Sequence, residues 1–220
     1  MPSVKARTEQ RGSYSVRVYE VEITPKMREK ALDFATKLIE NDDQYLRLIP
    51  KKLRESLDSE TIKKIAIQRT YVGKLGEMVF SVLLTVKRIQ HDVTDMFTIF
   101  PGQTNVDDFD FITPYNETVD IKTGFRPNHT RLMVNMEQFN DIPKDYYVGV
   151  KLNAVDIDPD ITLVDWDSIT QGTVQGYADH NYMEEKVESS NYGEGEAKAL
   201  FYSRMMGIDS LLSKSWNVID

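Results

Sequence analysis

The spacing of apolar positions changes character along the chain. Residues 14–23, YSVRVYEVEI, are β-branched and aromatic with partial alternation, which predicts a strand. Thr24 and Pro25 then supply an N-cap and a first-turn proline, and Met27, Ala31, Phe34, Ala35 and Leu38 recur at helical spacing until Asn41-Asp42-Asp43. Residues 44–57 read as a short basic helical segment, and Ser59 as the cap of another helix from about Glu60. The segment from Arg69 to Arg88 is the most apolar helix of the chain. Val72, Leu75, Val79, Val82, Leu83 and Val86 form one stripe while Phe80 and Leu84 lie on the far side with Glu77, so its second half should be buried on both faces.

Beyond this helix the pattern predicts strands at 105–113, 117–123, 131–135, 146–152 and 161–165, with a helical turn around Met136 to Asn140. Residues 168–193 are polar and rich in Gly, Asn and Asp, and read as mostly irregular. A last helix is expected from about Glu194 to Lys214, carrying Ala197, Leu200, Phe201, Met205, Ile208 and Leu212. The fold class expected is α/β: residues 1–68 as an N-terminal strand and helical extension, residues 69–220 as the core with a central mixed sheet flanked by helices, in one compact domain.

At 220 residues the chain can bury about 70% of its unfolded surface and needs no staple. It has no cysteine, which removes thiolate zinc sites, iron–sulfur clusters, thiol nucleophiles and disulfide scaffolds together. Its longest apolar stretch, Met78 to Val86, is far short of the roughly 20 residues of a bilayer span, so no membrane partner is expected. No apolar segment follows the basic residues of MPSVKARTEQRGS, and a cytoplasmic location is the expectation. The net charge of −8 argues against a generic polyanion binder, but residues 1–90 carry 18 Lys and Arg against 12 Asp and Glu, whereas residues 91–220 carry 9 against 23. Such asymmetry suits a phosphate-facing half and a metal-holding half, or simply two solvated surfaces of different composition.

The chemistry concentrates in NVDDFDFITPYNETVDIKTG, residues 105–124. Pro114 presets a turn, and Asn116 tolerates the left-handed conformation that closes a three-residue hairpin loop. That loop pairs Thr113 with Glu117, and stepping outward sets Phe111 opposite Val119, Asp110 opposite Asp120, Phe109 opposite Ile121 and Asp108 opposite Lys122. A slip of one residue would put carboxylates among the apolar set. Two carboxylates facing each other repel and need a cation or a proton between them, a need met by a hard divalent ion with oxygen ligands. Lys122, on the same face as Asp120, would stand beside that ion, where phosphodiester hydrolysis needs a positive group. The plainer reading of the same face is solvent exposure, with Asp108 and Lys122 as a surface ion pair.

Asp110, followed ten residues later by Asp120-Ile121-Lys122 on the partner strand, resembles the PD-(D/E)XK nuclease superfamily. The resemblance spans roughly residues 69–152. It implies a restriction-endonuclease-like core and a metal-dependent nuclease, most simply an endonuclease, that hydrolyses DNA with Mg²⁺ (or Mn²⁺). It also implies a homodimer, because cutting two antiparallel strands suits a two-fold enzyme. A further glutamate on the preceding helix is matched by Glu77, and a functional Gln of some members by Gln138. On this reading Glu77, Asp110 and Asp120 bind metal and Lys122 assists the attacking water. No Pro precedes the first aspartate, so Asp107, Asp108 and Asp110 compete for its place; the register opposite Asp120 favours Asp110, with Asp108 second. Lys74, Arg126 and Arg131 are the candidate DNA contacts, with His129 near them, and ordinary surface charge is the alternative for each. The other reading for the chain is a non-catalytic nucleic-acid-binding or assembly protein on the same fold.

Three other patterns carry less. Asp156, Asp158 and Asp160 begin like a calcium loop, but Ile161 stands where that loop needs Gly, and the stretch reads as an acidic turn. His91, His129 and His180 are too scattered for a zinc site. A basic cluster from Lys51 to Arg69 suits sequence-independent DNA affinity or solubility equally.

Overall fold

A computed structural model describes residues 1–41, 49, 51–99, 109–192 and 195–216. It opens with an antiparallel hairpin of β1 (Val4–Arg11) and β2 (Tyr14–Glu22), turned at Gly12 with φ 64°. Three helices follow: α1 (Pro25–Asn41), α2 (Lys51–Ser56) and α3 (Ser59–Val86). Thr24 caps the first, its Oγ1 accepting from the Met27 amide at 3.3 Å. Asp58, one residue ahead of the predicted Ser59, caps the third by accepting from the Thr61 amide at 2.9 Å. The helical stretches expected from Glu60 and from Arg69 are therefore one helix of 28 residues.

The remainder alternates short strands and helices: β3 (Phe111–Ile112), β4 (Thr118–Gly124), β5 (Arg131–Asn135), α4 (Met136–Asp141), β6 (Tyr146–Leu152), β7 (Val155–Asp158), β8 (Leu163–Asp165), β9 (Gln171–Asp179), α5 (His180–Lys186), β10 (Ser189–Asn191), β11 (Glu196–Phe201) and α6 (Ile208–Trp216). Six strands make a mixed sheet in the order β1-β2-β9-β6-β4-β3, in which β4 and β6 run parallel and the other neighbours antiparallel. The chain is thus α/β with a central mixed sheet flanked by helices.

Alternation along the strands separates two cores. Val119, Ile121, Val148, Val150 and Val174 turn to one face, where Leu75, Val79, Phe80 and Leu83 of α3 and Leu211 and Leu212 of α6 bury them; α1 packs on α3 from outside through Met27, Ala31 and Ala35. Tyr147 and Ala178 turn to the other face, beneath Leu132 and Val134 of β5, Phe139 of α4, Met183 of α5 and Leu200 of β11. The layer on that face is a second sheet, β10-β11-β5.

Three expectations need correction. The N-terminal strand expected at 14–23 is β2, but it does not stand apart with the helical extension: with the unexpected β1 it completes the main sheet, and buried Arg11 pins the pair by donating to the carbonyls of Gln175 at 2.7 Å and Met205 at 3.0 Å. The stretch expected to be irregular contains β9, which is buried nearly throughout. Its Gly172 and Gly176 lower strand propensity but lie where a side chain would strike Val79 or the Met206 carbonyl, so packing overrides propensity. The helix expected from Glu194 is instead β11, a turn at Tyr202–Arg204 and α6, because β11 gains a full ladder with β5. Expected strand 161–165 is β8, paired with β7 across the acidic turn.

Helix α3 carries two glycines with opposite surroundings. A Cβ at Gly73 would meet nothing within 4 Å, whereas one at Gly76 would collide with the Thr123 side chain of β4. Gly73→Ala should therefore stabilise the fold by about 1 kcal/mol through helix propensity. Gly76→Ala should destabilise it by about 1–3 kcal/mol through overpacking. Urea denaturation of the two variants checks the opposed signs.

Candidate functional site

The hairpin closes as its turn residues dictate. The Thr113 amide donates to the Glu117 carbonyl at 2.9 Å, the Asn116 amide to the Thr113 carbonyl at 2.9 Å, and Asn116 takes φ 63°. Phe111 pairs with Val119 and Ile112 with Thr118, in the register read from the sequence. Of the expected strand 105–113, residues 105–108 lie outside the described residues, and within 109–113 the ladder is β3, Phe111–Ile112. Asp108 lies outside the described residues.

At Asp110 the carboxylate replaces the ladder. The residue's amide still donates to the Val119 carbonyl at 3.0 Å, but the Ile121 amide, which in a continued ladder would meet the backbone of Phe109, donates to Asp110 Oδ2 at 2.7 Å. Asp110 is therefore held in place against the strand that carries Asp120 and Lys122.

Asp120 and Lys122 point to the same side of β4. Asp120 is 6% exposed, and its Oδ2 lies 2.7 Å from the Lys122 ammonium, yet outside hydrogen-bonding geometry, so this buried oxygen has a charged neighbour and no hydrogen bond. Lys122 Nζ donates instead to Gln138 Oε1 at 2.7 Å. Gln138 sits on α4, which begins where Asn135 Oδ1 accepts from the Glu137 amide at 2.8 Å. Glu77 comes from α3, one residue beyond the glycine that touches Thr123, and its Oε2 lies 2.6 Å from Lys74 Nζ. The Lys74 ammonium also stands 5.0 Å from the Phe34 ring centre.

Electrostatics binds these groups into one cluster. Burial, then the charges of Glu77 and Asp120, push the Asp110 carboxyl well above its ordinary range, against the opposing effects of the Ile121 amide and Lys122. Even so, among the described residues no three His, Asp or Glu side chains converge as a ready-made set of metal ligands. Glu77 is held by Lys74 and Asp120 by Lys122. The donor chemistry nonetheless fits a hard cation, because Asp120 Oδ2 is buried without a hydrogen bond and Asp110 is driven towards its protonated form by burial and then by two neighbouring carboxylates.

Two cavities open beside the cluster. One of about 520 Å³ is lined by Lys74, Glu77 and Asp110 with Phe34, Met96 and Phe109; the other, of about 400 Å³, by Lys122, Asn128, His129, Arg131, Met133 and Tyr192. Of the candidate DNA contacts, Lys74 lines the first and Arg131 the second. Arg126 lines neither: its guanidinium faces Asp156 at 3.4 Å and donates to the Pro159 carbonyl at 3.1 Å, fastening the loop after β4 to the acidic turn. Arg126 is thus held in a structural role.

Two groups in this region carry no weight in the sequence reading. Lys151 of β6 is paired in register with Gly124 and donates to the Arg126 carbonyl, and burial pushes its ammonium down to about 8. A lysine inside the apolar run YYVGVKL is the signal for it. The Tyr202 hydroxyl, buried against Gly124 with no hydrogen-bond partner, has no such signal because the turn that brings it there is long-range. Compared with protein-family models, curated proteins and solved structures, the chain finds no match in any of the three.

Because Asp110 holds its proton more tightly folded than unfolded, the folded state binds the extra proton, and stability should fall as pH rises from the ordinary carboxyl range through the raised one. The slope is at most about 1.4 kcal/mol per pH unit for one group. Asp110→Asn, which still accepts from the Ile121 amide, should flatten this dependence and exceed wild type in stability at neutral pH, measured by urea denaturation in EDTA across pH.

Proposed function

We propose that the chain is a divalent-metal-dependent nuclease that hydrolyses DNA phosphodiester bonds, built on a restriction-endonuclease-like core. The observation that carries this reading is the meeting of Asp110, Asp120 and Lys122 on one hairpin, with Glu77 supplied by α3 and Gln138 by α4. The order of elements supports it too: a long helix, the hairpin, α4, and a strand, β6, parallel to β4.

In this mechanism Asp110 and Asp120 would hold Mg²⁺ or Mn²⁺, and Glu77, now paired with Lys74, would be the further ligand. The ion, when bound, polarises a phosphoryl oxygen and acidifies a water. Lys122 then does two things. Its ammonium neutralises Asp120 in the resting site, and in the reacting one it orients the water or faces the charge that builds on the phosphate. Gln138 positions that ammonium through its 2.7 Å hydrogen bond. Asp110, anchored to β4 by the bond from the Ile121 amide, would be one of the residues to hold such an ion.

A second reading has its own observation. Lys74 and Lys122 balance Glu77 and Asp120 without any ion, as a non-catalytic nucleic-acid-binding protein on the same fold would require.

Supercoiled, linear and single-stranded DNA incubated with Mg²⁺, Mn²⁺ or EDTA separates the two. Cleavage should need the metal and drop by about 10²-fold or more in Asp120→Ala and in Lys122→Ala, the scale on which loss of one electrostatic stabiliser acts. Cutting that survives EDTA, or that both variants retain, overturns the mechanism. Gln138→Ala should lower the rate less than Lys122→Ala.

A further inference from the structure

The outer face of the sheet β10-β11-β5 is apolar and aromatic where a sheet face against water is ordinarily polar. Phe201 is 40% exposed, Met133 41% and Tyr192 38%. Register sets Phe201 beside Arg131 and Ala199 beside Met133 across neighbouring strands, so these side chains share one surface. Arg131 stands over both rings, its guanidinium carbon 4.0 Å from the Phe201 ring centre and 5.5 Å from that of Tyr192.

This surface runs into the 400 Å³ cavity through Arg131, Met133 and Tyr192, and the cavity ends at Lys122. Among the described residues that line it there is no Asp or Glu, although residues 91–220 hold 23 acidic side chains against 9 basic ones. His129 adds a donor. Its Nδ1 accepts from the amides of Phe125 and Arg126, which leaves the ring proton on Nε2.

We propose that this face is a stacking platform for single-stranded DNA, on which unpaired bases rest against Phe201, Tyr192 and Met133 while the backbone follows Arg131 and His129 through the cavity to Lys122. The proposal rests on the nuclease reading for the destination of the strand and names its substrate class. Bases in a duplex are stacked on one another and offer only their edges, whereas exposed rings on a flat sheet need the face of an unpaired base. Arg131, with two aromatic rings and no ion pair at its guanidinium among the described residues, matches a phosphate, and Lys122 at the far end is shared with Asp120.

The test is fluorescence anisotropy of labelled oligo-dT with the full chain in EDTA, where no cleavage is expected. Oligo-dT should bind about tenfold or more tighter than a duplex of equal length, and Phe201→Ala and Tyr192→Ala should each weaken it about tenfold, while Phe201→Tyr retains binding. Arg131→Gln should lower the slope of log affinity against log salt by about 0.7, one phosphate contact on a single strand. Ile157→Ala, at an exposed apolar position of β7, should leave binding unchanged and serves as the control. Thermal melts of each variant confirm the fold.

Equal affinity for duplex and single strand overturns the platform, as do ring variants that bind like wild type, or displacement by polyglutamate that ignores the ring substitutions. The two proposals fail separately. Ring-sensitive binding without metal-dependent cutting removes the nuclease and keeps the platform, and cutting lost in Asp120→Ala but untouched by the ring variants does the reverse.

Discussion

Helix α3 rests on the sheet with no space for a methyl group between them. The Thr123 side chain of β4 lies on Gly76, and the Val79 side chain of α3 lies on Gly172 of β9, so in two places a side chain of one element rests on the bare backbone of the other. Everything at the hairpin follows from that seating. Glu77 is the next residue after Gly76, and its position relative to Asp110 and Asp120 is set by how deep the helix sits. The apolar residues of α3 that lie against Val119 and Ile121 also force Asp120 and Lys122 of β4 to the opposite side. A helix standing further off would leave the carboxylates too distant to influence one another.

The cluster this creates is poised between two ways of balancing charge. Lysines at 2.6 and 2.7 Å answer Glu77 and Asp120, while burial and its neighbours favour the neutral form of Asp110. On the proposed reading a divalent ion would have to displace all three, which would link metal binding to proton binding. The weak points of the resting arrangement are Asp120 Oδ2, which has charge beside it and no hydrogen bond, and Asp110, which is ionised only at the expense of its neighbours.

What could be read from the sequence was whatever local chemistry decides. Pro114, Asn116 and the alternation of apolar residues were enough for the hairpin register, and Thr24-Pro25 for the start of α1. Strands 131–135 and 146–152 stood out as β-branched and aromatic runs. The role of Gln138 against Lys122 could be suspected but not located, because it depends on how α4 packs beneath the second sheet. The strands missed were those whose residues have poor strand propensity. β1 is polar on both sides, β9 holds two glycines in buried contacts, and β11 looks helical until β5 is beside it. The platform of Phe201 and Tyr192 was invisible for the same reason, since Phe201 reads as a buried position of a helix and is an exposed position of a strand.

The main sheet finishes at one end in β1, whose outward positions carry Lys5, Arg7 and Glu9, with Arg7 bridging Glu9 at 2.8 Å and Glu20 at 3.0 Å. At the other it finishes in a strand of two residues. Among the described residues neither end offers a long apolar ribbon of free amides and carbonyls on which a foreign strand could grow. Removing the first twelve residues would change this. It would bare Tyr14–Glu22, with Val16 and Val18 on one face and Tyr19 and Val21 on the other, and turn a guarded border into a template for self-association. The leading strand of this chain therefore acts less as a support for the site than as a shield against aggregation.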